Sequence, residues 1–308
     1  MLATMGLLAS PVAAATQDQT RPERARQAVA MRGDALAQWL DNFFDNPAIE
    51  AEAARTRMEL RQSVTFSERD STKARTRLSA KLKLPSLSNR LSLTFRGNAD
   101  EAELEDGAAT QFDDNEADSL DDPSVGLQYR FRDKGKLHGS WSLGTRLDNP
   151  SINLGPRLRY RHQLGDKWRG RYTQRVLYDT EDRWESRTRL EFDRTLGSGN
   201  LFRQSLRADW RDSRADTQGM RYTLKSAYIR RLDDQSGLSY EVSSRFHSQP
   251  RAVWVSHTLN VRYRRTVGYD WMFLDVSPFI AFQEKYDWHA NPGIRISLDI
   301  LFATDIGL

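Results

Sequence analysis

The chain has 308 residues, a net charge of +4 from 46 Lys and Arg against 42 Asp and Glu, and no cysteine. Disulfide frameworks and thiolate chemistry are therefore excluded. Charged residues make up 29%, the mean hydropathy is -0.70, and no apolar window is long enough for a spanning helix. Strands that show lipid only one face remain compatible with that balance.

Leu2 to Ala15 is apolar or small, and Ala13-Ala14-Ala15 precedes Thr16. This small-residue pattern marks residues 1–15 as a signal peptide, although a positively charged start is missing. Residues 16–55 read as a linker and an amphipathic helix. Ala25, Ala28, Val29, Leu36, Leu40 and Phe43 recur at helical spacing, widened by Trp39 and Phe44, and Asp45-Asn46-Pro47 stops the helix.

After Arg55 the period changes from 3.6 to 2, and residues 56–308 form one region of fourteen expected strands. They fall near 57–68, 73–84, 89–97, 124–132, 137–147, 151–162 and 167–178. The rest fall near 183–193, 201–211, 220–231, 237–247, 252–265, 271–283 and 293–308. The last shows the alternation best, with Ile294, Ile296, Leu298, Ile300, Phe302, Ile306 and Leu308 opposite Arg295, Ser297 and Asp299. Short turn sequences such as Asp133-Lys134-Gly135-Lys136 and Leu164-Gly165-Asp166 separate neighbours. The longer links, 98–123, 212–219 and 284–292, all follow odd-numbered strands and so share one end. Trp168, Trp184, Trp210, Trp254, Trp271 and Trp288 fall near strand ends, with Tyr178 and Tyr222 close by. Amphipathic rings at those levels suit two interfacial belts.

In these features the chain resembles bacterial outer-membrane β-barrels as a class. The resemblance implies an all-β, up-and-down antiparallel barrel in the bacterial outer membrane, in contact with lipid and lipopolysaccharide. Residues 16–55 would then be periplasmic, and their helix a plug or a handle for a periplasmic protein. In that class the last strand is read by the insertion machinery and commonly ends in Phe; here Phe302, Ile306 and Leu308 stand for that signal. The resemblance names no substrate.

The face opposite lipid is rich in arginine. Arg157, Arg159, Arg161, Arg169, Arg171, Arg175, Arg187, Arg189, Arg203 and Arg207 form a basic wall on the sixth to ninth strands. Fixed cations lining a lumen attract anions, so the expected function is a pore for small anionic solutes. A closed structural or assembly barrel, filled by Arg–carboxylate pairs and holding a partner through its N-terminal helix, is the alternative. Nucleic-acid binding fits poorly, because the arginines repeat along one strand face rather than cluster in a module.

The 98–123 segment carries Asp100, Glu101, Glu103, Glu105, Asp106, Asp113, Asp114, Glu116, Asp118, Asp121 and Asp122 and reads as a solvated outer loop. It lacks the spacing of a defined calcium loop, so no metal site is assigned. His138, His162, His247, His257 and His289 show no ligand spacing, and no cofactor or nucleophile motif occurs. His257 alone falls on the lipid face, where it needs a polar partner such as Ser244 or Ser226. An envelope-lipid-modifying enzyme using such a pair is the third expectation.

Overall fold

In the computed structural model, the described residues are 43, 56–83, 90–98, 124–147, 150–165, 167–197 and 199–304. The signal peptide, the helix apart from Phe43, every carboxylate of the acidic segment, and Ile306 and Leu308 of the insertion signal lie outside them. Fourteen antiparallel strands close into one barrel. The first seven are β1 Thr56–Ser67, β2 Lys73–Lys83, β3 Leu91–Asn98, β4 Ser124–Lys134, β5 Leu137–Arg146, β6 Ile152–Leu164 and β7 Trp168–Asp179. The others are β8 Arg183–Leu196, β9 Asn200–Arg211, β10 Arg221–Arg231, β11 Ser236–His247, β12 Val253–Val267, β13 Tyr269–Gln283 and β14 Ala290–Thr304.

Each strand pairs with its sequence neighbours, and β1 closes on β14 with Thr56 opposite Thr304. One departure from the sequence reading is the start of the last strand. β14 begins at Ala290, three residues before the expected 293, because Phe282 is still there to pair with it, and residues 305–308 lie outside the described residues. Asn291-Pro292 looks like loop in the sequence but lies within the ladder. Pro292 donates nothing, yet its carbonyl accepts from the Glu68 N–H at 3.0 Å. β13 begins two residues before the expected 271 because Gly268, at φ +73°, turns the chain alone.

Links between strands sort by end. Of the fully described links, one end carries 68–72, 180–182, 212–220, 248–252 and 284–289; the other carries 135–136, 232–235 and 268. The first is called the loop end and the second the turn end. Both chain ends of the barrel, Thr56 and Thr304, lie at the turn end.

The outer face is apolar through its middle, with Leu143, Leu154, Leu259 and Ile296 each more than two-fifths exposed. Leu158 opposite Gln174 and Tyr160 opposite Tyr172 continue that surface from strand to strand. Aromatic rings bound it. At the loop end Tyr178 meets Trp184, Tyr222 meets Phe246, and Phe246 meets Trp254. At the turn end Tyr269 stacks on Trp271, and Arg194 lies 5.3 Å from the Trp168 ring. An apolar band between two aromatic girdles, on a sheet with no free edge, is the exterior of a transmembrane β-barrel.

Inside, β1, β12, β13 and β14 are tied by an ionic lattice. Asp299 accepts from Arg61 Nε at 2.8 Å and Nη2 at 3.0 Å, and from Arg264 Nη1 at 2.7 Å. Arg264 also reaches Asp275 Oδ2 at 2.8 Å, and Arg262 grips Asp275 with both arms of its fork at 3.0 and 2.9 Å. Glu59 completes the set at 3.2 Å from Arg61. Arg61, Arg262 and Arg264 thus balance Glu59, Asp275 and Asp299, and Arg264 and Asp299 are fully buried. Removing one partner of such a group leaves a buried charge uncompensated, which costs about 3–5 kcal/mol. Asp299→Ala is therefore expected to destabilise the barrel by about that amount. Denaturant unfolding of the protein in lipid vesicles measures the shift, which should greatly exceed that of Asp270→Ala on the exposed turn-end rim.

Candidate functional site

The register of β6 to β10 stacks the expected basic wall into four rungs. The rung nearest the loop end runs Arg157, Arg175, Arg187, Asp209, Arg221. The next runs Arg159, Thr173, Arg189, Arg207, Thr223, and the third Arg161, Arg171, Glu191, Ser205, Lys225. The fourth, toward the turn end, runs Gln163, Arg169, Asp193, Arg203, Ala227. All ten arginines singled out from the sequence share the inner face, since Leu158 and Tyr160, between them on β6, stand exposed on the outer one.

Carboxylates enter three of the rungs. Arg203 grips Asp193 at 2.7 and 2.8 Å, and Arg171 meets Glu191 at 3.2 Å. Asp209 is shared by Arg187 and Arg207, the latter at 2.6 Å. Yet Arg157 faces Arg175, Arg175 faces Arg187, Arg161 faces Arg171, and Arg189 faces Arg207. Like charges directly opposite one another in a sheet are destabilising. The ten arginines share β6 to β9 with five inward carboxylates: Asp179, Glu185, Glu191, Asp193 and Asp209. Among the described residues, β6 to β9 thus present more inward arginines than inward carboxylates, while β12 to β1 hold the ionic lattice around Asp275 and Asp299.

At the loop end, a short 3₁₀ turn, Asp212–Arg214, folds beside the upper rung. The N–H groups of Gln218 and Gly219 both bond to the Arg214 carbonyl, at 2.9 and 3.2 Å. Ser213 Oγ donates to Asp182 at 2.8 Å, and the Gln249 N–H reaches the Gln218 carbonyl at 3.2 Å. Gly219 has φ +60°, and a Cβ there would meet Ser248 Oγ at 2.5 Å, so this position requires glycine. Asp182 also accepts from Arg146 at 2.7 Å and from Arg211 at 3.2 Å, while Arg211 Nε lies 2.9 Å from Glu185. Burial works against the Asp182 charge, but Arg146, Ser213 and Arg211 outweigh it and hold the carboxyl below its ordinary value. Arg211, Arg214 and Arg221 were missed in the sequence because they lie in or beside a link rather than in the middle of an alternating run.

Across the mouth, link 68–72 is clamped to link 284–289. Asp70 Oδ1 accepts from Tyr286 Oη at 2.6 Å and Lys285 Nζ at 2.9 Å, and its Oδ2 accepts from Asn291 Nδ2 at 2.9 Å. Burial pushes the Asp70 carboxyl up, but these donors prevail and hold it below its ordinary value.

At the turn end the inner surface is apolar. Leu201, Ala227, Ile229 and Phe273 form a buried cluster with Leu301 against it. Phe43, in helical conformation, is seated on this floor with its ring edge-on to Phe273 at 5.8 Å. On the opposite, lipid-facing side, Ser244 Oγ lies 2.8 Å from His257 Nδ1 across β11 and β12. Trp254 and Trp288 cover the imidazole at 5.1 and 5.4 Å. A register shift between Arg245 and Phe246 brings Trp254 opposite Phe246, which the uniform alternation read from the sequence did not include. The pair answers the polar need of a lipid-facing histidine, and no carboxylate hydrogen-bonds to it among the described residues. Of the insertion signal, Phe302 stands on the outer face of β14, 44% exposed.

No family model and no curated protein matches this chain. Among solved structures, it is similar to a loop L8 deletion mutant of OmpT, an outer membrane protein of Vibrio cholerae. There the TM-score is 0.47 and the identity 10%, covering 80% of this chain and 98% of that one. It is also similar to OccK3 (OpdO) of Pseudomonas aeruginosa, at TM-score 0.46 and 10% identity, covering 81% and 95%. The KdgM porin in complex with disordered oligogalacturonate is similar at TM-score 0.39 and 9% identity, covering 79% and 99%.

The Asp70 clamp gives the mouth a pH dependence. Because the folded carboxyl titrates below its unfolded value of about 3.9, its stabilisation is full above that pH and is lost as pH falls through the lower folded value. Hydrogen–deuterium exchange of segment 284–289, corrected for the intrinsic rate, should therefore rise only in that acid range. Lys285→Gln removes one of the donors that hold Asp70 ionised and should move the rise to higher pH.

Proposed function

We propose that the protein is a bacterial outer-membrane channel for small anionic solutes, with the loop end outside and the turn end in the periplasm. The single observation that carries this reading is the row of like charges on β6 to β9, where Arg157, Arg175 and Arg187 stand opposite one another on three successive strands. The β12 to β1 wall instead sets Arg61 opposite Asp299 and Arg264 opposite Asp275. A cationic wall facing a lumen lowers the energy of a passing anion and raises that of a cation. The orientation is supported by the link lengths, which are short on one side and longer on the other as outer-membrane barrels require. In this reading lipopolysaccharide and phospholipid cover the apolar band, and the insertion machinery receives β14 and its terminal residues.

Reconstituted in a planar bilayer under a salt gradient, the full chain should give a reversal potential of the sign that marks anion preference. Arg159→Gln with Arg171→Gln should move that potential toward zero while the barrel stays folded. An unchanged potential would remove the basic wall from the selectivity.

Phe43 favours a second, compatible reading in which the N-terminal segment restricts passage from the periplasmic side. Its ring fills the apolar floor from inside the lumen, a placement that suits a stopper better than a handle for an outside partner. Phe43→Ser removes the apolar contact that would seat it and is expected to raise single-channel conductance. Conductance equal to that of the unaltered chain would exclude the stopper.

A further inference from the structure

The upper rung opens, at the loop end, into a cavity rich in arginine. Arg187, Arg211, Arg214 and Arg221 line it together with Glu185 and Asp209. Arg187 is committed to Asp209, and Arg211 to Glu185 and Asp182. Arg214 and Arg221 have no ion pair among the described residues. Arg221 is attracted by Asp209, which two other arginines already share, and repelled by Arg214, Arg207 and Arg211. Gln218 also lines the cavity, and its buried Oε1 has no hydrogen-bond partner among the described residues. Rotating that amide by half a turn would present its N–H groups instead.

The frame around these groups is stiff. Ser213 pins the Asp212–Arg214 turn to Asp182, both Gln218 and Gly219 bond back to Arg214, and the Met220 N–H reaches Ser248 Oγ at 2.8 Å. Two uncommitted guanidinium groups are thereby held near each other at a cost in repulsion, with an amide beside them. A partner that offsets this cost carries negative charge on two or more oxygens, because each planar fork donates two parallel hydrogen bonds to such a group. Chloride neutralises charge but does not offer the fork two acceptor oxygens.

We propose that this cavity is an oxyanion seat that takes one carboxylate, phosphate or sulfate group of a small soluble molecule entering from outside. The proposal rests on the reading of the cationic wall as an anion path, and makes the seat the first station on it. The cavity belongs to the lumen wall, so its ligand is a free solute; the phosphates of lipopolysaccharide share the chemistry but lie against the outer face.

The test uses the full chain refolded in detergent free of lipopolysaccharide, with inorganic phosphate as probe and chloride holding ionic strength constant. Phosphate binding, followed by ³¹P line broadening, is expected to saturate for the unaltered protein. It should weaken about tenfold or more for each of Arg214→Gln and Arg221→Gln, the loss of one charge-assisted hydrogen bond. Arg214→Lys keeps the charge but not the fork and should fall between, which separates recognition from simple attraction. Heat-modifiable migration on gels verifies that each variant is a folded barrel, and Arg221→Lys is the substitute should Arg221→Gln fail to fold. No saturable binding, equal binding by unaltered and altered proteins, or binding of lipopolysaccharide alone overturns the seat. Binding without an anion-preferring current would leave the seat standing and sink the passage reading. An anion-preferring current without phosphate binding would do the reverse.

Discussion

Three arginines and three carboxylates hold the seam of this barrel, and the rest of the molecule depends on that seam being shut. In a bilayer every backbone N–H and C=O must find its partner within the protein, so a sheet that fails to close exposes two rows of unsatisfied groups to hydrocarbon. The β1–β14 ladder supplies the backbone half of that closure. Asp299 supplies the side-chain half, since it draws Arg61 from β1 and Arg264 from β12 onto one strand. The Arg264 guanidinium, 4.5 Å from the Phe273 ring, also joins this polar layer to the apolar floor beneath it. Closure, ionic balance and the seat of Phe43 are therefore one connected arrangement.

The opposite wall follows another logic. Where the seam ties Arg61, Arg262 and Arg264 to carboxylates, β6 to β9 set guanidinium groups opposite each other across three successive strand pairs. The same backbone geometry permits both solutions, because alternation decides only which face a residue takes and not which charge it bears. In the channel proposed above, the two walls would divide the work of the lumen: one keeping the shape, and the other meeting the solute. The uppermost rung joins wall to loop through Asp209 and Arg221, and there the turn after β9 brings a further arginine into the lumen.

The strand count and the facing of nearly every residue were legible in the sequence because a period of two survives without any knowledge of partners. Ile296 and Asp299 announce opposite faces wherever β14 happens to pair. The four rungs were not legible, because which arginine meets which is set by stagger between strands, and stagger is decided by closure around the whole ring. The start of β14 at Ala290 likewise depends on how far β13 runs, and the shift at Arg245 and Phe246 leaves no mark in the alternation. Ser244 was legible as a partner for His257 because both fall on the lipid face, where an unpaired imidazole is costly. Arg211, Arg214 and Arg221 were hidden by lying in and around a link, where periodicity has nothing to say.

If the channel proposed above has a cationic β6 to β9 wall facing the balanced seam lattice, its lumen carries an electric field across its width as well as along its axis. A solute with its charges at opposite ends would then be turned as it advances, its acidic end toward β6 to β9 and its other end toward the seam. Two molecules of equal charge and volume would cross differently if one could make that rotation within the bore and the other could not. The barrel would in this way sort solutes by the length of their internal dipole, a property that neither net charge nor pore diameter describes.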